Sequence, residues 1–67
     1  MVAKNLLKAR MTEMGKTQKE VARRMGISAQ TLSYKLNGRI EFKVSEIDSL
    51  CDELGIRDKE RYFFAEI

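Results

Sequence analysis

The stretch that decides the fold is TQKEVARRMGISAQTLSYKLNG, residues 17–38. Thr17 can cap the start of a helix, and Glu20, three residues later, can complete a capping box. Gly26 suits the left-handed backbone that ends a helix, and Ser28 is a second N-cap. The pattern therefore predicts two short helices joined by a tight turn at the glycine.

Apolar spacing defines the inner faces of these two helices, which we expect at residues 18–25 and 29–37. The side chains expected to be buried are Val21, Ala22, Met25, Leu32 and Leu36. Ile27 can fill the corner between the helices. The second helix then has short polar side chains on its outer face, and Asn37–Gly38 ends it.

Two further helices are predicted on either side of this unit, at residues 3–14 and 44–54. The inner side of the first is expected to consist of Ala3, Leu6, Leu7, Arg10 and Met14. The apolar stripe of the other is expected to consist of Val44, Ile47, Leu50, Cys51 and Leu54. Glycines should end both helices, and Ile56 should fold back against the core.

The end of the chain carries three adjacent aromatic residues, Tyr62 to Phe64. A short helix at residues 58–63 would bring one or two of these rings into the core. Residues 64–67 could extend and meet a second subunit. Three adjacent aromatics more often cover a core than form a ligand site, so the dimer role is a hypothesis.

The two-helix unit resembles the Cro/repressor-type helix-turn-helix family of phage and bacterial regulators. The resemblance rests on Gln18, Ala22, Gly26, Ile27, Ser28, Leu32 and Asn37–Gly38. Residues 6–10 and 42–54 are similar to the family's first and fourth helices, and the closing YFF is similar to the end of small phage Cro-like regulators. Lys35 departs from the family pattern, because many relatives have an aliphatic residue there, and we expect Leu36 to fill that place.

Basic residues gather in the part of the chain that contains the two-helix unit. Residues 1–43 have ten Lys or Arg and three Glu, a net charge of +7. Residues 44–67 have three basic and seven acidic residues, a net charge of −4. Such asymmetry alone fits an ordinary solvated surface equally well. Its coincidence with the motif favours a polyanion, since phosphates attract Lys and Arg.

The resemblance implies that the second helix of the unit enters the major groove of DNA. Gln30 is the main candidate for contacting a base, because its amide can both donate and accept and so match adenine N6 and N7. Ser33 lies one turn later, and Ala29 could contact a thymine methyl. Tyr34 could reach a base or the backbone, or cover the side of the helix. Plain surface polarity is the alternative for Gln30 and Ser33.

Contacts to the phosphate backbone are expected from polar and basic groups around that helix. The predicted DNA-binding set is completed by Gln18, Ser28, Lys35, Asn37, Arg39 and Lys43, with Lys16, Thr17 and Lys19 as companions. Lys43 has no acceptor with which to cap the next helix, so either an anion binds there or its stem covers Phe42. Family members usually pair the equivalent of Arg10 with a buried acid, here Glu41 or Glu46.

The chain has 67 residues, no proline, no histidine and one cysteine. This composition predicts one domain, residues 1–67, without a disulfide and held together by packed helices or by a dimer. The expected fold is all-α, a compact bundle of about five short helices like the lambda repressor-like DNA-binding domains. No serine nucleophile, phosphate loop or paired catalytic carboxylates indicate an enzyme, a cofactor or a small-molecule ligand.

The expected function is that of a transcriptional regulator, a phage Cro-like repressor in the bacterial cytoplasm. It would bind a palindromic double-stranded operator as a homodimer through its C-terminal region, with Phe63, Phe64 and Ile67 as the candidate contacts. The alternative is an antirepressor or antitoxin-like module that keeps the fold but binds a protein. Such a module would have an apolar patch on the outer face of the second helix of the unit.

Overall fold

The computed structural model describes residues 2–64 of the chain. These residues form five helices: α1 (Lys4–Glu13), α2 (Gln18–Met25), α3 (Ala29–Leu36), α4 (Val44–Leu54) and α5 (Lys59–Phe63). The predicted all-α bundle is confirmed, and each helix end lies within one residue of its expected position. No helix in this part of the chain has both the length and the apolar character needed to cross a bilayer.

Local hydrogen bonds set the limits of α2 and α3 as the sequence indicates. Thr17 Oγ1 accepts from the Glu20 amide at 3.1 Å, and Glu20 Oε1 accepts from the Thr17 amide at 3.3 Å, which forms the capping box. Gly26 ends α2 with a φ of 76°, a left-handed conformation that glycine adopts without strain. Ser28 Oγ then accepts from the Thr31 amide at 3.0 Å and starts α3.

The core lies between the helices, where α2 packs against both α3 and α4. Its largest fully buried side chains are Leu7, Val21, Leu32, Leu50 and Leu54. Ile56 is buried as expected. Phe63 is only 3% exposed and packs edge-on against Phe42, with ring centroids 5.3 Å apart. The prediction that Phe63 lies at a subunit interface is therefore wrong, because its ring belongs to the core.

Two expectations about inner faces were also wrong. In α1 the buried residues are Leu7 and Met11, one turn apart, whereas Leu6 and Met14 are 36% and 41% exposed. In α4 the first residue, Val44, is 77% exposed. Apolar spacing therefore identified both helices but misjudged the rotation of α1 and the point at which the α4 stripe begins.

Arg10 binds the end of α4 and not the carboxylate of Glu41 or Glu46. Its Nε donates to the Leu54 carbonyl oxygen at 2.7 Å. The last carbonyls of a helix have no partner within it, and α4 has no basic residue in its last turn, so Arg10 supplies both a donor and a positive charge. A Cβ on Gly55 would lie 3.2 Å from Arg10 Nη2, so the glycine allows this close approach. The expected pairing of Arg10 with Glu41 or Glu46 is wrong.

Candidate nucleic-acid interface

The outer face of α3 has the polar residues that the sequence places there. Gln30, Ser33, Tyr34 and Asn37 follow the spacing of neighbours on one side of a helix. Gln30 and Asn37 are exposed, and Ser33 and Tyr34 are half-buried. Ala29, the first residue of α3, is exposed beside them. The face therefore combines short or planar polar side chains with one small apolar residue.

A first polar cluster on this face joins Gln30, Tyr34 and Arg39. Gln30 Nε2 donates to the Tyr34 hydroxyl at 2.8 Å. The Arg39 guanidinium carbon lies 4.9 Å from the centroid of the Tyr34 ring, within the range of a cation–π contact. A glutamine amide has two N–H donors and a carbonyl acceptor. The bond to Tyr34 therefore orients the Gln30 amide and leaves one donor and the acceptor for a base edge.

A second polar cluster joins the end of α3 to the start of α1. Asn37 Nδ2 donates to the Ser33 carbonyl oxygen at 2.8 Å, and Asn37 Oδ1 accepts from Lys4 Nζ at 2.9 Å. Lys4 was not among the predicted site residues. The sequence has no local signal for its position, because the two residues meet only through tertiary packing. The cluster adds a cation beside the predicted interface.

Lys35 does not belong to the surface, and its predicted contact with DNA is wrong. The residue is 4% exposed, and its ammonium group donates to Glu46 Oε1 at 2.8 Å and to the Glu41 carbonyl oxygen at 3.0 Å. Leu36 is buried in the core as expected, and Lys35 is buried next to it. The signal was present in the sequence, since Lys35 lies three residues after the buried Leu32 and shares its side of the helix.

Lys43 precedes α4 with an exposed side chain, and its backbone amide already has a partner. The amide donates to Glu46 Oε1 at 2.8 Å, so a carboxylate of the protein lies at the start of α4. Desolvation by burial opposes ionisation of Glu46, but hydrogen bonds from Lys35 and from the Lys43 amide outweigh it and lower the pKa of Glu46 below its ordinary value. The absence of an N-cap acceptor on Lys43 therefore gives no argument for an anion there.

The cations around α2 divide in the same way into paired and exposed residues. Lys16 Nζ donates to Glu53 Oε2 at 2.8 Å and to the Glu53 carbonyl oxygen at 3.0 Å. The hydrogen bond from Lys16 is the main cause of the lowered pKa of Glu53. Lys16 is thus held by α4, whereas Lys19 is exposed. Lys16 was expected to contact phosphates, and its ion pair argues against that role.

Two remaining members of the predicted set lie at helix N-termini. Gln18 is the first residue of α2 and is half-buried. The Ser28 hydroxyl both accepts from the Thr31 amide and donates to Thr31 Oγ1 at 2.8 Å, so its donor is used in capping α3. Both residues place backbone N–H groups at a helix start, where anions are stabilised.

An apolar groove of about 730 Å³ lies beside the second polar cluster. Its apolar lining includes Leu36, Ile40, Phe42, Ile47, Phe63 and Phe64. Ile40 is 42% exposed and Phe64 is 58% exposed. These two side chains place exposed apolar surface beside Lys4 and Asn37, which also line the groove.

Comparison with known proteins identifies the family to which the chain belongs. It belongs to the family described as "Protein of unknown function (DUF739)", whose model matches residues 4–66. No curated protein matches the chain. The description of the family assigns no activity.

Proposed function

We propose that this protein is a sequence-specific double-stranded DNA-binding regulator of transcription, a Cro-like repressor in which α3 enters the major groove. The observation that carries the proposal is the Gln30–Tyr34–Arg39 cluster. In this cluster, Tyr34 joins an amide on α3 that is able to contact a base to a cation on the following loop that is able to contact a phosphate. The resemblance of residues 17–38 to Cro/repressor-type regulators supports the same function.

The proposed contacts divide into base and phosphate contacts. The major groove is about 12 Å wide and admits one helix. Gln30 would bind adenine through N6 and N7, and Ser33 and Ala29 would contact the neighbouring base edges. The phosphate contacts would come from the residues around α3, namely Gln18, Asn37 with Lys4, Arg39 and Lys43. Lys35 and Lys16 are left out because α4 holds their charges.

The alternative function, docking of an antirepressor or antitoxin-like module on a protein, requires an apolar patch on α3. Within residues 2–64, the large apolar side chains that are exposed are Leu6, Met14, Ile40, Val44 and Phe64. None of them lies on α3. The polar character of the α3 face therefore favours DNA over a protein partner at this surface.

A homodimer is part of the proposal, because the contacts of one small module rarely give the affinity of a working repressor. A two-fold axis would place two α3 helices about 34 Å apart, on successive major grooves. Phe64 and Ile40 are the exposed apolar residues beside the groove and are the proposed contacts. Ile67, also expected at this interface, lies outside the described residues.

Selection of bound sequences from a pool of random duplexes tests the proposal. We expect the protein to enrich a palindrome whose half-sites are about 10 base pairs apart. The enriched duplex should then be compared with a shuffled duplex of the same composition in a gel-shift titration. Failure to enrich any sequence, with equal affinity for both duplexes, would refute sequence-specific binding.

A further inference from the structure

One carboxylate oxygen connects three parts of the chain at the end of α3. Glu46 Oε1 accepts from Lys35 Nζ and from the Lys43 amide, each at 2.8 Å. Lys35 Nζ also donates to the Glu41 carbonyl oxygen at 3.0 Å. The last turn of α3, the loop of residues 37–43 and the start of α4 therefore meet at the Lys35–Glu46 pair.

This pair is withdrawn from solvent. The side chains of Lys35 and Glu46 are 5% and 14% exposed. Buried ion pairs add little net stability, and apolar replacements of both partners are often neutral or stabilising. Stability is therefore a weak explanation for the pair, and its geometry offers another. It fixes the loop that carries Arg39 and ends at Lys43, two of the proposed phosphate contacts.

The Lys35–Glu46 pair connects two helices, α3 and α4. Helix α2 packs against both α3 and α4, and the Lys35–Glu46 pair adds a direct polar link from α3 to α4. Without that link, the last turn of α3 would lose its direct polar attachment to α4, and the end of the loop would be held by the packing of Phe42 alone. The phosphate contact at Lys43 would then no longer have a fixed position relative to the base contacts on α3, whereas Arg39 would still be held to α3 by its contact with the Tyr34 ring.

We propose that Lys35 and Glu46 are positioning residues, which set the preference for one DNA sequence without touching DNA. This inference rests on the proposed function. It predicts an effect opposite in sign to simple electrostatics. Removing a negative charge should strengthen binding to every duplex, because DNA is a polyanion. Loss of positioning should instead weaken binding to the preferred duplex relative to any other.

The test compares Glu46→Gln with Asp48→Asn, which removes the same charge from an exposed residue of the same helix whose ion-pair partner, Lys59, lies on α5. Affinities are measured for a duplex that the wild-type protein has selected from a random pool and for a shuffled duplex. Amide hydrogen exchange of residues 39–43 gives a measurement that needs no DNA. Circular dichroism establishes that each variant is folded.

We expect Asp48→Asn to keep the wild-type ratio of the two affinities. Glu46→Gln should lower that ratio at least about fivefold, which is the lower end of the loss in affinity expected when one base contact is removed. It should also speed exchange of the Lys43 amide. The double variant Lys35→Met with Glu46→Gln removes both charges and avoids an unpaired buried lysine. Its ratio should stay low although the domain remains folded.

An unchanged ratio in Glu46→Gln or in the double variant would overturn the inference, and so would unchanged exchange of the Lys43 amide. If the wild-type protein selects no duplex, the proposed function fails and the inference falls with it. A sequence preference that survives in both variants refutes positioning alone.

Discussion

Arg10 and Leu54 are joined by a hydrogen bond of 2.7 Å between the Arg10 Nε and the Leu54 carbonyl oxygen, which ties α1 to the last residue of α4. Arg10→Ala should lower the free energy of unfolding by about 1–3 kcal/mol, because the carbonyl loses a charged donor. Urea denaturation measures the change. Arg24→Ala is the control, since the Arg24 side chain is 71% exposed and its contact with Glu53 is 4.0 Å long. Equal losses in both variants would contradict the role given to Arg10.

Gln30→Ala should weaken binding to the selected duplex by about 1–3 kcal/mol and relax the preference at one base pair in each half-site. The physical reason is loss of the amide that would bond to adenine. Gel-shift titrations on the selected duplex and its single-base variants measure both effects. Asn5→Ala, an exposed change on α1, should leave them unaltered. A loss of the same size on selected and shuffled DNA would show that Gln30 does not contact a base.

Arg39→Ala and Lys43→Ala should weaken binding to all duplexes alike, because both side chains are proposed to neutralise phosphates. The slope of log affinity against log salt should fall by about one unit for each variant. Affinities between low and physiological salt give the slope. Arg57→Ala removes an exposed cation from the acidic half of the chain and should preserve the slope. If all three variants behave alike, Arg39 and Lys43 do not contact phosphates.

Replacement by alanine should affect stability at Phe63 and cooperative DNA binding at Phe64. Phe63→Ala should destabilise the domain by about 3–5 kcal/mol, because its buried ring leaves a cavity beside Phe42. Phe64→Ala should leave the thermal midpoint nearly unchanged and reduce cooperative binding to two half-sites, because the proposed dimer contact is lost. Calorimetry and titrations on one and two half-sites separate these effects. Unchanged cooperativity in Phe64→Ala would place the interface elsewhere.

The stability of the domain should decrease as the pH falls below about 4.5. The folded state lowers the pKa of both Glu46 and Glu53 below the ordinary value of 4.5. These carboxylates therefore contribute stability that is fully present above the unfolded-state pKa and is lost as the pH falls through the folded-state values. Urea denaturation from pH 6 to pH 3 measures the loss. Combining Glu46→Gln with Glu53→Gln should make the dependence shallower, and an equally steep dependence would contradict this assignment.

The features that could be predicted from the sequence are those determined within a few residues. Thr17, Gly26, Ser28 and Gly55 mark helix ends through short-range hydrogen bonds and backbone conformation, so the boundaries of α2, α3 and α4 were nearly all correct. The polar face of α3 was predictable for the same reason, since neighbours on a helix face follow from spacing alone.

The contacts that were missed join distant residues. Lys35 and Arg10 form hydrogen bonds to residues of α4, and Lys4 forms one to Asn37. Each of these contacts depends on how whole helices pack together. In α1, apolar residues on both sides allowed more than one rotation, and contact with the rest of the core selects Leu7 and Met11. The sequence therefore indicated which charges were present near α3 but not which of them α4 would neutralise.

The hydrogen bond from the Ala3 amide to the Tyr62 carbonyl oxygen, 2.7 Å long, joins the two ends of the described chain, where α1 and α5 also pack together. Contacts this far apart in sequence form slowly, because the chain between them must first be ordered. The α2–α3 contacts are local and can form early. We therefore expect the contact between α1 and α5 to form late in folding, after the local α2–α3 contacts.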